Sequence, residues 1–242
     1  MSQAAHKIRS HNRLLSSLSV ADYELIRPHL EPVDLKYRTS LYRDGQPINH
    51  VHFIETGVGS LVNTMKNGAA SEVGTIGNEG FVGLPVLFCD ERSPTTVYMQ
   101  VAGAGLRIKA KAFSKIVNES PSVRTAMLRY AHAFFNQVAQ SAACAHYHNL
   151  EQRCCRWLLM THDRMQSDMF VLTQEFLAMM LGVRRAGVTE AAGALKKRGL
   201  IRYVRGAVTI MDRRGLEERS CECYGASARE FDRLLGKRNS PK

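Results

Sequence analysis

The hydrophobic periodicity of the chain changes near residue 110, and this change limits the folds it can adopt. From about residue 31 to 110, short apolar or alternating runs such as VHFIETG and TTVYMQVAG are separated by turn signals, among them Asn67-Gly68 and Gly77-Asn78. Strands spaced about 8–12 residues apart with turns between them indicate a β-sandwich or barrel. From residue 111 to about 165 the apolar residues recur at helical spacing. The sequence therefore predicts a β-rich half, preceded by a short helical lead-in, and then a helical half.

A long helix with one apolar stripe is predicted to begin at Ser120-Pro121, an N-cap followed by proline at the first helical position. Such a stripe either packs against the helix's own β-domain or forms a seam with the same helix of a second subunit. The spacing alone favours neither arrangement. The stripe consists of Val123, Met127, Tyr130, Phe134, Val138 and Ala142.

The charge of the chain is strongly basic, with 33 Lys and Arg against 22 Asp and Glu and a formal net charge of +11. Such an excess points to a polyanionic partner, either nucleic acid or an anionic membrane surface. No stretch is apolar enough to cross a membrane, and the N-terminus lacks the apolar core of a secretion signal. We therefore expect a soluble cytoplasmic protein whose cysteines are reduced.

The basic residues are concentrated in a predicted winged helix-turn-helix. Between residues 184 and 205, seven basic residues accompany a single acid, Glu190. Thr173 is a natural N-cap for a first helix, Gly182 supplies the turn, and a second helix runs from Arg184 to about Arg198. The hairpin that follows, with Arg205-Gly206 at its tip, would be the wing.

This arrangement has a direct interpretation as a DNA-binding surface. In a docked helix-turn-helix, the N-terminal end of the second helix meets the base edges. Arginine can pair with guanine there, and glutamate can accept a hydrogen bond from cytosine. Cations at the far end and in the wing suit phosphates, which orient the protein without reading sequence. The predicted DNA-binding set is Thr173, Arg184, Arg185, Thr189, Glu190, Lys196, Lys197 and Arg205, with Arg202 as a further phosphate contact.

The order of these segments resembles the Crp/Fnr family of bacterial transcription regulators. The resemblance covers about residues 20–215 and is strongest in TQEFLAMMLGVRRAGVTEAAGALKKRGLI, then in residues 77–113. It implies a cyclic-nucleotide-binding-type β-roll, a homodimer joined along the long helix, and two heads that bind double-stranded DNA. It leaves RNA polymerase open as a further partner. It also favours the dimer seam for the stripe, with Met127, Tyr130, Phe134 and Val138 as the seam residues.

The same resemblance places the family's base-reading positions on Arg184, Arg185, Thr189 and Glu190. Family members often have Glu-x-x-Ser-Arg or Arg-Glu-x-x-x-Arg at this place, whereas this chain has RAGVTE at residues 185–190. We therefore expect the family's docking geometry on a different operator sequence.

The segment GNEGFVGLPVLF, residues 77–88, raises the question of a ligand site. Its glycines can bind a phosphate through backbone N–H groups or form the turns of a β-domain. In family members that resemble cyclic AMP receptors, a glutamate after the glycine holds the ribose, and an Arg-Ser/Thr pair neutralises the cyclic phosphate. Here Leu84 follows Gly83, and Arg92-Ser93 lies one or two residues away from the corresponding position. Such members also contribute a polar pair from the long helix, and the corresponding positions here are Val138-Ala139.

Gly83, Leu84, Arg92 and Ser93 are thus a candidate effector pocket that lacks most determinants of cyclic nucleotide binding. An unpaired cyclic phosphate would cost several kcal/mol. We expect a regulator that does not depend on cyclic AMP, and glycines that are mainly turns of the β-roll. A different ligand in the same cavity remains an alternative.

The six cysteines offer a second route for a signal. The family's oxygen sensors hold an iron–sulfur centre with N-terminal cysteines, and residues 1–30 contain none, which excludes that class. Cys144 and His148 have a helical spacing that can chelate zinc, but no second paired motif completes a tetrahedral site. We therefore predict no metal and no cofactor, with Cys154 and Cys155 as core residues. The alternative function is a metal- or thiol-based redox sensor that uses Cys144, His146, His148 or the C-terminal pair Cys221 and Cys223.

No P-loop, nucleophile elbow or paired-carboxylate pattern occurs, so we do not expect an enzyme. The predicted protein is α+β. It has an N-terminal double-stranded β-helix or jelly-roll in residues 1–118, a long dimerisation helix in 119–148, and a winged helix-turn-helix in 149–242. A C-terminal helix with a disordered basic tail ends the chain.

Overall fold

The computed structural model describes residues 10–165 and 167–236 of the 242-residue chain. These residues form a β-roll, a long helix packed along it, and a helical domain with a small three-stranded sheet. This is the predicted fold. The predicted basic tail lies outside the described residues, as do the first residues of the lead-in.

The described part of the β-roll contains two antiparallel sheets and four short helices. Its elements are α1 (Arg13–Ser16), α2 (Val20–Ile26), a 3-10 turn (Arg27–His29), β1 (Glu31–Leu35), β2 (Ser40–Tyr42), β3 (His50–Ile54), β4 (Val58–Thr64), β5 (Ala70–Ile76), β6 (Phe81–Val82), α3 (Leu84–Leu87), β7 (Thr96–Val101), β8 (Gly103–Lys109) and α4 (Ala110–Glu119). The strand orders are β1-β8-β3-β6 and β2-β7-β4-β5. Crossovers between non-consecutive strands join the sheets, as expected for a roll rather than a meander.

An aromatic cluster occupies the centre of the β-roll core. Phe53 of β3 and Phe81 of β6 meet Phe113 of α4, and all three are 1% exposed or less. The ring of Tyr130, from the long helix, lies 5.0 Å from that of Phe81 and is fully buried. Burial of each such side chain stabilises the fold by about 1.5–3 kcal/mol. The long helix is therefore a structural part of the β-roll core.

The long helix α5 (Pro121–Tyr147) begins where the sequence predicts, because the Ser120 hydroxyl accepts a hydrogen bond from the Val123 amide. Its apolar stripe, however, faces the β-roll from Val123 to Val138, and only Ala142 of the stripe is exposed. Met127 and Phe134 are 0% and 5% exposed, and Val138 is half-buried against the same cluster. The prediction that Met127, Tyr130 and Phe134 form a dimer seam is wrong, because the β-roll already covers them within one protomer, whereas Val138 is only partly covered.

Two glycines of GNEGFVGLPVLF are required by close packing. Gly77 and Gly80 stand at the ends of a β-turn, closed by a hydrogen bond of 3.3 Å between the Gly80 amide and the Gly77 carbonyl. A Cβ at Gly80 would overlap the Tyr130 ring, and one at Gly77 would overlap the Arg164 side chain. Only Gly83, with φ 119°, has a backbone conformation that itself favours glycine. The prediction that these glycines form turns is correct, but it did not foresee that close packing is what requires Gly77 and Gly80.

The C-terminal part continues from the long helix after a break at His148 and Asn149. Its elements are α6 (Leu150–His162), β9 (Met169–Val171), α7 (Gln174–Leu181), α8 (Arg185–Lys197), β10 (Ile201–Val204), β11 (Ala207–Ile210), α9 (Arg213–Arg219) and α10 (Cys223–Leu235). The sheet has the order β10-β11-β9, so the predicted wing hairpin is present and gains a third strand. A second apolar cluster packs this part together and also includes Val58, Val62 and Val101 of the β-roll.

The last helix, α10, returns to the β-roll and packs along α5. Phe231 is 5% exposed in the β-roll core, with its ring 6.5 Å from that of Tyr130. Asp232 forms an ion pair with Arg13 at 2.8 Å. The C-terminal helix was predicted, but its contact with the N-terminal core was not.

The role of Gly80 can be tested by Gly80→Ala. The added methyl group has no space beside Tyr130, whose hydroxyl is held by the Phe81 carbonyl at 3.1 Å. We expect a loss of about 1–3 kcal/mol in the free energy of unfolding, measured by urea denaturation. The matched control is Gly193→Ala in α8, where no heavy atom lies within 4 Å of the new carbon. That change should stabilise the protein by about 0.5–1 kcal/mol through helix propensity. Equal stability of the two variants would contradict the packing argument.

Candidate functional site

The helix-turn-helix has the local geometry that the sequence predicts. The Thr173 hydroxyl accepts a hydrogen bond of 3.1 Å from the Phe176 amide and caps α7. Gly182 ends α7 with a left-handed φ of 63°. Val188 and Leu195 of α8 are fully buried in the C-terminal core. This packing fixes which face of α8 remains exposed.

The exposed face of α8 carries the predicted cations. Arg184, the N-cap of α8, is exposed together with Arg185 and Glu190 near its N-terminal end, and Lys196 and Lys197 are exposed at the other end. No salt bridge joins any of these residues to another described residue, whereas the neighbouring Arg198 is paired with Glu151 at 3.1 Å. The surface thus presents positive charge that the protein itself does not neutralise, as a polyanion-binding face requires.

The two predicted threonines have partners within the protein. Thr173 caps α7, and the Thr189 hydroxyl lies 3.0 Å from both Gln174 Oε1 and the Arg185 carbonyl oxygen. Arg205 is exposed at the tip of the wing with φ 48°, followed by Gly206 with φ 77°. Two successive left-handed residues form the tight turn typical of a two-residue hairpin. Arg205 and the exposed Arg202 therefore extend the basic surface beyond α8.

The predicted effector residues do not all lie together. Gly83, Leu84 and Ser93 line a cavity of about 150 Å³ in the β-roll, whose other walls include Tyr42, Leu61 and Phe134. Arg92 is outside this lining: its guanidinium donates a hydrogen bond of 2.7 Å to the Gly45 carbonyl on the surface. The grouping of Arg92 with the pocket is therefore wrong in this structure, because the turn at residues 43–46 holds the side chain.

Inside the cavity the polar groups are already paired. The hydroxyls of Ser93 and Thr95 lie 2.7 Å apart. Burial raises the pKa of the Tyr42 phenol, which keeps that group neutral. The long helix contributes the ring of Phe134 to the lining. The cavity is thus small, apolar for the most part, and without a cation among its lining residues.

A buried ion pair joins the β-roll to the C-terminal part, and the sequence analysis did not single it out. Glu79, the acid of GNEGFVG, accepts hydrogen bonds from Arg164 at 2.7–3.1 Å, and the two side chains are 2% and 4% exposed. Burial alone would lower the pKa of Arg164, but the charge and hydrogen bonds of Glu79 raise it above its ordinary value. The sequence feature that could have pointed to this ion pair is Glu79, a single acid among the glycines of GNEGFVG.

Gln137 of α5 completes this junction. Its carbonyl oxygen accepts a hydrogen bond of 3.2 Å from Arg164, and its amide donates one of 2.8 Å to the Thr75 carbonyl. Arg164 also donates to the Met160 carbonyl at 2.7 Å. One guanidinium therefore links the β6 turn, the long helix and the end of α6. We call this set, Glu79, Gln137 and Arg164, the junction triad.

A second junction contact involves the single tryptophan of the chain. Trp157 of α6 donates a hydrogen bond of 3.0 Å to Glu72 of β5, and the Ser60 hydroxyl donates one of 2.6 Å to the same carboxylate. Burial raises the pKa of Glu72 to about 7, although these two hydrogen bonds oppose the change. Glu72 also lines a cavity of about 250 Å³ between β5, α5, α6 and α7.

The cysteines separate into two groups. Cys154 and Cys155 are fully buried in the C-terminal core, as predicted. Cys144, Cys221 and Cys223 form a buried cluster of their own, and His148 lies beside them. A hydrogen bond from the Cys221 thiol lowers the pKa of Cys144 to about 5 and raises that of Cys221. His146 is exposed and outside the cluster.

A β-roll with a small internal cavity, a long helix packed along it, and a winged helix-turn-helix with an exposed basic face define a DNA-binding transcription regulator. Comparison with known families agrees for both parts. The cyclic nucleotide-binding domain family matches residues 32–120, and the Crp-like helix-turn-helix domain family matches residues 152–219. The chain belongs to the Crp/Fnr family of transcription regulators. Members of this family are not enzymes, and neither is this protein.

Solved structures share the whole architecture at low sequence identity. A Crp/Fnr-family regulator from Eubacterium rectale is 18% identical, with a TM-score of 0.67 over 86% of this chain and 98% of that one. TTHB099, a CRP-family regulator from Thermus thermophilus, is 17% identical, with a TM-score of 0.65 over 78% and 96%. FixK2 from Bradyrhizobium japonicum is 13% identical, with a TM-score of 0.67 over 79% and 98%. A search of curated proteins found no match. Across residues 10–165 and 167–236, no helix has the length and apolarity needed to cross a membrane.

The junction between Glu72 and Trp157 gives a pH-dependent signal that can be measured. The folded protein holds the Glu72 proton up to about pH 7, whereas the unfolded chain releases it near pH 4.5. The folded state therefore binds more protons in this window, and the contribution of Glu72 to the free energy of unfolding falls as the pH rises through it. We expect Trp157 fluorescence to titrate with a midpoint near pH 7 in the wild type. In Glu72→Gln that transition should be absent, and stability relative to wild type should increase from pH 5 to pH 8. A transition that persists in Glu72→Gln would assign it to another group.

Proposed function

We propose that this Crp/Fnr regulator binds a palindromic DNA site as a homodimer, through α8, without cyclic AMP as its effector. The observation that carries this proposal is the face of α8, where Arg184, Arg185, Lys196 and Lys197 are exposed and form no salt bridge with any described residue. Because its target is DNA, we place the protein in the cytoplasm. RNA polymerase is a further candidate partner.

The contacts divide by position along α8. Arg184, Arg185 and Glu190 lie at the end that meets base edges when a helix-turn-helix docks in the major groove. Lys196, Lys197 and the wing residue Arg205 suit the flanking phosphates. Thr173 and Thr189 support the helices through their hydrogen bonds.

A different face of α5 is available for the dimer. Leu128 and Phe135 are 44% and 67% exposed, although both are large and apolar. Together with exposed residues further along the helix they repeat at alternating steps of three and four, the spacing of a coiled-coil seam. The residues of this seam face are Leu128, His132, Phe135, Ala139, Ala142 and His146. We propose that the same face of a second copy covers it, so that the two α8 helices meet successive major grooves.

The cavity in the β-roll supports the absence of a cyclic AMP switch. At about 150 Å³ it is smaller than the roughly 300–1,000 Å³ of typical ligand pockets. Leu84 stands where the ribose-binding acid would be required, and Arg92 is held at the surface by Gly45. A cyclic phosphate would therefore enter without a cation to pair with it, at a cost of several kcal/mol.

The proposed division of DNA contacts can be tested with two matched substitutions. A binding site is first selected from a random DNA pool, and we expect an inverted repeat with half-sites about one helical turn apart. Arg185→Ala should then lose about 1–3 kcal/mol on the selected site and relax the preference at one base pair. Lys197→Ala should weaken all sequences alike and reduce the slope of log K against log salt by about one. If the two variants behave identically, the division between base and phosphate contacts is wrong.

The proposed seam face can be tested by Phe135→Glu. A carboxylate at the centre of the seam should dissociate the dimer, because a buried charge without a partner is strongly unfavourable. The measurement is the molar mass of the purified protein in solution. The matched control is Met65→Glu, since Met65 is 54% exposed in the turn between β4 and β5. The proposal fails if the wild type is a monomer or if both variants remain dimers.

Cyclic AMP independence can be tested by calorimetric titration of the purified protein with cyclic AMP and cyclic GMP. We expect no binding and no rise in melting temperature at millimolar nucleotide. Micromolar affinity would contradict the proposal, and Leu84→Glu would then show whether the β-roll cavity is the site. Loss of DNA binding in Arg185→Ala would be unaffected by either outcome, which keeps the two parts of the proposal separate.

A further inference from the structure

We propose that Cys144, His148, Cys221 and Cys223 bind one zinc ion. The four potential ligand atoms all lie within 4.8 Å of one another, although the residues come from two distant parts of the chain. Cys144 lies in the last turn of α5 and His148 is its C-cap. Cys221 and Cys223 stand at the connection between α9 and α10. The sequence argument against a metal was that no second pair of ligands lies near Cys144 and His148. The fold brings Cys221 and Cys223 to this place, although they lie 73 or more positions further along the chain.

Two distances within the cluster match those of a tetrahedral site. With Zn–S bonds of about 2.3 Å and Zn–N bonds of about 2.0–2.1 Å, a tetrahedron separates its ligand atoms by about 3.5–3.8 Å. The sulfurs of Cys144 and Cys221 are 3.5 Å apart, and Cys223 Sγ lies 3.6 Å from His148 Nδ1. An iron–sulfur cluster would need its ligands spread around several metal and sulfide atoms. A set this compact suits a single ion.

The groups around the cluster are oriented as metal ligands require. His148 presents Nδ1 to the sulfurs, while its other nitrogen, Nε2, lies 3.1 Å from the Glu222 carboxylate. A carboxylate that accepts the second imidazole N–H fixes the ring and its tautomer in many zinc sites. The amide of Gln140 donates a hydrogen bond of 3.0 Å to Cys223 Sγ. These polar contacts distinguish the cluster from ordinary apolar packing, in which a cysteine needs no such partners.

The ligand chemistry selects the metal. Three thiolates and one imidazole in a tetrahedral arrangement favour zinc over magnesium, calcium or manganese, which prefer oxygen ligands. The three sulfurs are 1–3% exposed, and four protein ligands leave no coordination position for a substrate. The site is therefore of the closed, structural type.

Zinc at this place would hold the break between α5 and α6. His148 ends α5, Asn149 caps α6, and the DNA-binding domain follows directly. The C-terminal ligands begin α10, which packs back along α5. One ion would thus bind the end of the long helix to the segment that returns from the wing, and so fix the DNA-binding domain against the rest of the protomer. This inference concerns the cluster alone and does not depend on the operator or on cyclic AMP.

The test is the metal content of the full-length protein, purified without chelators under reducing, anaerobic conditions. We expect about one zinc ion per protomer by elemental analysis. Replacement by Co²⁺ should give the intense visible absorption of a tetrahedral thiolate site together with thiolate-to-cobalt charge transfer. This second measurement needs no variant, so it remains decisive if the substituted proteins do not fold.

Matched variants locate the site. His148→Ala and Cys223→Ser should lose most of the zinc. His146→Ala and Cys89→Ser should keep it, since His146 and Cys89 are exposed outside the cluster. Glu222→Gln should retain the tetrahedral Co²⁺ spectrum but bind zinc about 10–100-fold more weakly in competition with a chelator. A wild type that holds no zinc after reconstitution overturns the proposal. So does a His148→Ala variant that binds zinc like the wild type.

Discussion

The buried pair of Glu79 and Arg164 is the contact on which the arrangement of the two halves depends. Both side chains are almost completely removed from solvent, and removal of either partner would leave an uncompensated charge at a cost of about 3–5 kcal/mol. The remaining hydrogen bonds of Arg164 go to Gln137 and to the end of α6. The pair therefore stabilises one particular placement of the C-terminal part against the β-roll. It also explains Gly77, because a Cβ there would occupy the space of the Arg164 side chain.

A second polar contact joins the two halves in the same region. Glu72 of β5 is hydrogen-bonded to Trp157 of α6, and both residues line the cavity between β5 and α7. Both contacts pair a carboxylate of the β-roll with a donor from α6 or the residues after it. A polar interface of this kind is directional: it loses its hydrogen bonds when the domains slide, whereas apolar packing tolerates small shifts. The exposed face of α8 is thus held in a defined orientation relative to the β-roll.

Much of the fold and of the DNA-binding surface could be predicted from the sequence, and the predictions that failed did so for physical reasons. The N-cap at Ser120, the turn at Gly182 and the exposed cations of α8 follow from local rules, and the structure agrees with them. The assignment of Met127 and Tyr130 to a dimer seam failed because periodicity shows that a helix has an apolar face but not what covers it. Arg92 was misplaced because its partner, Gly45, is distant in sequence. The sulfur cluster was missed for the same reason, since Cys144 and Cys221 meet only when α10 folds back on α5.

The return of α10 also changes how the DNA-binding domain can move. A winged helix-turn-helix that was attached only through α6 could rotate about the backbone at His148 and Asn149. Here the domain is attached to the rest of the protomer both at its start, through α6, and at its end, through α10. Phe231 of α10 is buried beside Tyr130. Rotation about the α5–α6 break would drag Phe231 out of the β-roll core and separate Asp232 from Arg13. Any rotation of the DNA-binding domain about this break is therefore coupled to the packing of Phe231 in the β-roll core.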